Sequence, residues 1–157
     1  MINFDEAVDC LHPNNVRLSN ERKDKLLADL GEKLYIQQHR TITIGSARQS
    51  GHTTWALSKV VMSENTALIV ETESNYKHIQ DMLEEQSLLP HYLDRVFTSK
   101  DVINSNLSGE LDSGEQLPQF DVIIIDTCND SHNANAYREW ISKHCNPRDV
   151  AVVQIIN

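Results

Sequence analysis

Thr41-Ile42-Thr43-Ile44-Gly45-Ser46-Ala47-Arg48-Gln49-Ser50-Gly51-His52-Thr53-Thr54-Trp55-Ala56-Leu57 is the stretch whose reading decides the fold. The Thr/Ile alternation over 41–44 predicts a strand. The small and polar residues from Gly45 to Gly51 predict a tight connection, and Trp55 and Leu57 with Val60 and Val61 give the apolar side of a helix. A strand that turns directly into a helix start aims backbone N–H groups and the positive end of the helix dipole at one point, which suits an anion. Gly51 matters because a side chain there would push the loop away from a ligand. An ordinary strand-to-helix turn has much the same composition, so the loop needs a companion before it carries a function.

Working outward, short β-branched runs alternate with helical patterns at the spacing of repeated strand–helix–strand units. Strands are expected at Thr41–Gly45, Ala67–Glu71, Arg95–Thr98, Asp121–Asp126 and Val150–Ile156. Helices are expected at Thr53–Met62, Asn75–Gln86 and Ala134–His144, with a turn of helix after Asp101. Ile123-Ile124-Ile125 and Val150-Ala151-Val152-Val153 read as central strands buried on both faces. Residues 1–39 read as a helical preface to a domain over 40–157. The preface has a short segment at Phe4–Leu11, a break at His12-Pro13-Asn14-Asn15, and a helix over Asn20–Gln37 capped by Ser19 or Asn20, with Leu26, Leu27, Leu30 and Leu34 as its apolar stripe. Ser105–Gln119, rich in Ser, Gly and acids, reads as an exposed loop, and Tyr137, Trp140 and Ile141 as core.

The companion is Phe120-Asp121-Val122-Ile123-Ile124-Ile125-Asp126, a buried strand ending in an acid, placed where open α/β sheets bind ligands. With the loop it resembles the P-loop NTPase pattern. In the standard motif, G-x-x-x-x-G-K-[ST], the Lys neutralises terminal phosphates and the Ser/Thr holds Mg²⁺. Here Ser46 stands at the first glycine position, His52 at the Lys position and Thr53 at the magnesium position. The run from Ser46 to Thr54 resembles, more narrowly, the loop of viral DNA-packaging terminase ATPase domains, an association that suggests a viral origin. The nuclease domain of a full terminase is not expected within these residues.

The resemblance implies a three-layer α/β sandwich with a mostly parallel five-stranded sheet. It also implies a site in which Ser46, Arg48, Gln49, Ser50, Gly51, His52, Thr53 and Thr54 hold ATP or GTP, Thr53 and Asp126 hold Mg²⁺, and Asp126 serves catalysis. An imidazole is shorter than a lysine stem and mostly neutral at pH 7, so His52 favours binding over hydrolysis, while Arg48 supplies a guanidinium inside the loop. Thr127 follows Asp126 where many ATPases place a water-orienting Glu. Asp126-Thr127 resembles the corner of signal-recognition-particle-type GTPases, with Asn129 where their glycine stands. Glu71, Glu73 or Asp130 are the substitutes for that Glu, and Arg138 and Arg148 are weaker candidates for a finger.

Composition narrows the partners. Twenty-three acidic against 14 basic side chains give a net charge of −9, which disfavours direct nucleic-acid binding in the absence of a basic patch. Cys10, Cys128 and Cys145 have no ligand spacing, and His132 and His144 no metal partners, so neither a disulfide framework nor a zinc site is expected. The start Met1-Ile2-Asn3-Phe4-Asp5-Glu6 lacks signal-peptide character and no apolar run spans a membrane, so a soluble, cytoplasmic protein is expected. Two functions follow: a nucleotide-binding ATPase or GTPase with weak or partner-dependent hydrolysis, and an inactive adaptor of the same fold that binds a protein or a second copy. A small phosphotransferase ranks last, because no lid arginines follow residue 100.

Overall fold

The computed structural model describes residues 3–6, 8, 18–46, 51–88, 90–107, 118–127 and 134–156. Five strands form one all-parallel sheet: β1 (Thr41–Gly45), β2 (Thr66–Val70), β3 (Val96–Thr98), β4 (Val122–Thr127) and β5 (Ala151–Ile156), in the order β1-β5-β4-β2-β3. Parallel neighbours require crossover connections. α1 (Asn20–Leu30) and α2 (Glu32–Tyr35) precede β1, and the crossovers are carried by α3 (His52–Met62) between β1 and β2, α4 (Glu73–Glu85) between β2 and β3, α5 (Ser99–Leu107) between β3 and β4, and α6 (Ala134–Lys143) between β4 and β5.

Strand side chains alternate between two separate cores. Ile42, Leu68, Ile124 and Val153 pack with α3 and α4. Ala67, Ile69, Ile123 and Val152 pack on the opposite face, with Tyr35, Val102 and Trp140 from α2, α5 and α6. Two cores divided by a period-2 strand pattern make a three-layer sandwich. The expected α/β fold and the five strands are therefore present, each strand bound lying within one residue of its expected position. Among the described residues, no helix is long and apolar enough to cross a membrane.

Three expectations need correction. The helix over 20–37 is interrupted at Gly31, whose φ of 78° and ψ of 164° suit only glycine. The chain resumes as α2 and then tightens into a π-helical turn, Ile36–Arg40. The break rotates Leu34 out of the stripe, leaving it 46% exposed, while Leu26, Leu27 and Leu30 pack against the core. The turn after Asp101 is a full helix that begins at Ser99 and takes in Ser105–Leu107, which were expected in a loop. Asp101 accepts from the Thr98 N–H at 2.9 Å while Thr98 Oγ1 accepts from the Asp101 N–H at 3.1 Å, a reciprocal cap invisible to hydropathy. The break at 12–15 lies outside the described residues.

Ser19 caps α1 as expected, its hydroxyl accepting from the Arg22 N–H. The π-helical turn is fastened to the start of β5 by the buried Arg40, which donates from Nε to the Val150 carbonyl at 2.8 Å and from a terminal nitrogen to the Asp149 carbonyl at 2.9 Å. These bonds set β1 beside β5.

His144 ends the α6 segment inside the second core. Its ring stacks on Trp140 at 4.0 Å, and Nδ1 lies 3.2 Å from the Pro118 carbonyl. Burial holds this imidazole below the ordinary histidine range, against the opposing pull of the Pro118 carbonyl. The unfolded chain therefore takes up the proton first as pH falls. Stability from this group is complete above about pH 6.5 and declines below it, by at most about 1.4 kcal/mol per pH unit. Urea unfolding between pH 7 and 5 should show this decline in the wild type and a shallower one in His144→Phe.

Candidate functional site

The strands are parallel, so their C-terminal ends share one rim, at which β1 ends and α3 begins. Residues 47–50 lie outside the described residues, and with them the expected contributions of Arg48, Gln49 and Ser50. On either side of them the path is defined. The Ser46 N–H extends the β1–β5 pairing by donating to the Ile156 carbonyl at 2.9 Å. Gly51 is left-handed at φ 83° and ψ 11°, and α3 starts directly behind it with no side-chain cap. A Cβ at Gly51 would meet open space, so the constraint is backbone conformation and not crowding.

Two expected residues, Thr53 and His52, contact Asp126, and a third, Ser46, contacts His52. Thr53 Oγ1 donates to Asp126 Oδ2 at 3.1 Å, across 73 positions of sequence. His52 Nε2 lies 3.3 Å from Asp126 Oδ1, and His52 Nδ1 lies 3.4 Å from Ser46 Oγ. One tautomer satisfies both contacts: Nε2–H donates to the carboxylate and Nδ1 accepts from the Ser46 hydroxyl. Ser46, His52 and Asp126 are each about nine-tenths buried. Strand alternation explains the meeting, because Asp126 shares the parity of Ile124 and so faces the α3 side of the sheet. Thr54, one residue further along α3, is exposed and stands apart from the cluster.

His52, which the resemblance sets at the lysine position, has its ring turned toward the sheet, engaged with Ser46 and Asp126. Behind it packs a segment that sequence reading assigned only to the preface. Phe4 is buried, with its ring edge-on to His52 at 6.4 Å and 5.6 Å from Trp55. Asp5 accepts from Trp55 Nε1–H at 2.9 Å and pairs with Lys59. The Lys59 and Trp55 hydrogen bonds hold the Asp5 carboxyl below the usual carboxylate range. Phe4-Asp5 carried no motif; the available signal was an aromatic next to an acid in a short helical pattern.

The secondary candidates separate by position. Glu71 follows β2 at the same rim and is half-buried, whereas Glu73 is exposed in the first turn of α4. Asp130 and His132 lie outside the described residues. Arg148 sits just before β5, at the opposite end of the sheet, with Nε 3.3 Å from Asp24. Arg138 lines a cavity of about 100 Å³ with Gln37, Tyr137 and Gln154 on the α6 face. Among the described residues no three His, Cys, Asp or Glu side chains converge as a cation cage. Cys145 is buried and free, its thiol pushed up to about 12 by burial, which makes it inert.

Comparison with known proteins returns no matching family model and no similar curated protein. The geometry of the rim is thus the ground for any functional reading.

That geometry has a measurable consequence for stability. Asp126→Ala removes a buried acceptor shared by His52 and Thr53 and should cost about 1–3 kcal/mol in urea unfolding. Gly51→Ala, which forces a side chain into the left-handed region, should cost about 1–2 kcal/mol with no loss of strand content by circular dichroism.

Proposed function

We propose that the protein binds a nucleoside triphosphate, ATP or GTP, with Mg²⁺ at the rim formed by Ser46, Gly51-His52-Thr53 and Asp126, and that it hydrolyses it slowly or only with a partner. The observation that carries this reading is the contact of Thr53 with Asp126. A hydroxyl at the first turn of a helix that follows a glycine turn meets the acid at the end of a buried strand, as the P-loop resemblance requires.

The donor set fits the cation. Mg²⁺ prefers oxygen ligands in octahedral geometry and keeps several waters, so one hydroxyl and one carboxylate beside phosphate oxygens suffice without a protein cage. When bound, it neutralises phosphate charge. The chain's own residues do the rest. α3 starts behind Gly51 with no side-chain cap, a helix N-terminus whose dipole favours phosphate, and His52 orients Asp126 through Nε2. Slow turnover follows from two absences at named positions: His52 lacks the reach of lysine, and Thr127, unlike a carboxylate, cannot take a proton from attacking water.

A second reading, an adaptor that binds a protein or a second copy, is favoured by one observation. Asp126 already takes both His52 and Thr53, so the site is internally satisfied without ligand.

Calorimetric titration with Mg-ATP and Mg-GTP separates the two. The nucleotide reading expects micromolar binding, lost in Thr53→Ala and strengthened roughly tenfold or more in His52→Lys by a charge-assisted contact, with any turnover abolished by Asp126→Asn. Absence of binding by either nucleotide, even in His52→Lys, would overturn it and leave the adaptor reading.

A further inference from the structure

The imidazole of His52 is held more by packing than by hydrogen bonds. Its contacts with Asp126 and Ser46 are 3.3 Å and 3.4 Å long, beyond the usual range of about 2.7–3.2 Å. The Cβ–Cγ torsion of histidine is broad and roughly two-fold, and a half-turn about it puts ring carbons where both nitrogens stand. Something else must therefore fix the ring if His52 is to face Asp126 through Nε2.

The segment over residues 3–6 supplies that restraint. Phe4 is 3% exposed, and its ring lies 6.4 Å from the imidazole at an interplanar angle of 69°, an edge-to-face contact that resists rotation of the smaller ring. Phe4 is itself fixed to α3. Its ring is 5.6 Å from that of Trp55, the next residue, Asp5, accepts from Trp55 Nε1–H at 2.9 Å and pairs with Lys59 one turn further on, and the Lys59 ammonium sits 5.8 Å from the centre of the Trp55 ring. The helix that begins at His52 thus carries the anchor for the side chain that packs against His52.

We infer that residues 3–6 belong to the site: Phe4 is a positioning residue that holds the His52 imidazole on Asp126, and Asp5 holds Phe4 in place through Trp55 and Lys59. The inference deepens the nucleotide reading above, in which His52 orients Asp126, and the state of the ring is measurable with no ligand present.

The test uses the full chain as wild type, Phe4→Ala, Phe4→Leu and Asp5→Ala, with two readouts. The first is the ring-nitrogen NMR spectrum of His52 without nucleotide, assigned by the signals lost in His52→Gln. Wild type should show one tautomer with the proton on Nε2. Phe4→Ala should lower the ratio of this state to other ring states by roughly two- to tenfold, the worth of an edge-to-face ring contact, and Phe4→Leu, which restores apolar bulk without a ring, should not recover it. Asp5→Ala, which removes an exposed side chain that only Phe4 and Trp55 link to His52 in this arrangement, should shift the spectrum in the same direction, and it carries the test if Phe4→Ala does not fold. Variants that lose stability to urea while the His52 spectrum stays as in wild type would overturn the inference. The second readout is calorimetric affinity for Mg-ATP, which Phe4→Ala should weaken by roughly three- to tenfold, at or below the effect of removing an outer partner of a metal-ligating carboxylate. A changed His52 spectrum with unchanged affinity would sink the place of Phe4 in the site and leave the nucleotide reading standing. Wild type that binds no nucleotide would sink that reading, and the His52 spectrum would then decide the positioning role by itself.

Discussion

Everything in this molecule follows from the need to cover β5, β4 and β2 on both faces. Ile123, Ile124, Ile125, Val152 and Val153 leave neither side of the sheet able to meet water. At roughly 1.5–3 kcal/mol for each fully buried aliphatic side chain, these residues outweigh any polar contact at the rim. Parallel pairing then forces each connection over a face, and α3 has to lie on the side to which Ile124 and Asp126 point. The meeting of Thr53 with Asp126 is a by-product of that packing.

The rim is therefore supported by the core but does not support it. A neutral hydrogen bond contributes about 0.5–1.5 kcal/mol, small beside the aliphatic layers beneath, so the polar contacts there add little to what holds the fold. His52 stands at the position that the P-loop resemblance gives to a lysine, and its ring is engaged with Ser46 and Asp126. Phe4 then backs the ring, which ties a segment distant in sequence to the state of the loop.

How legible this was depended on whether one stretch of chain held the whole cause. Ile123-Ile124-Ile125 needs both faces covered whatever its neighbours, and the strand and its central place could be read directly. Thr53 and Asp126 were legible as partners because a known pattern joins them. Gly31 was not read as a break, since Leu26, Leu27, Leu30 and Leu34 kept an apolar spacing on both sides of it and only the backbone angle decides. The full length of α5 was missed because its start depends on the reciprocal Thr98–Asp101 cap and not on hydropathy. Phe4 and the inward turn of His52 depend on three-dimensional neighbours, which no local pattern encodes.

The strand that carries the loop has a single neighbour in the sheet. β1 lies at one end of the strand order and pairs only with β5, and Arg40 and Val150, which fasten the two, are 110 residues apart. During synthesis β1 leaves the ribosome early but stays without its hydrogen-bonding partner until β5 emerges. The pairing that holds the loop-bearing strand in place is thus the most non-local in the sheet, the kind of contact whose closure costs the most chain entropy.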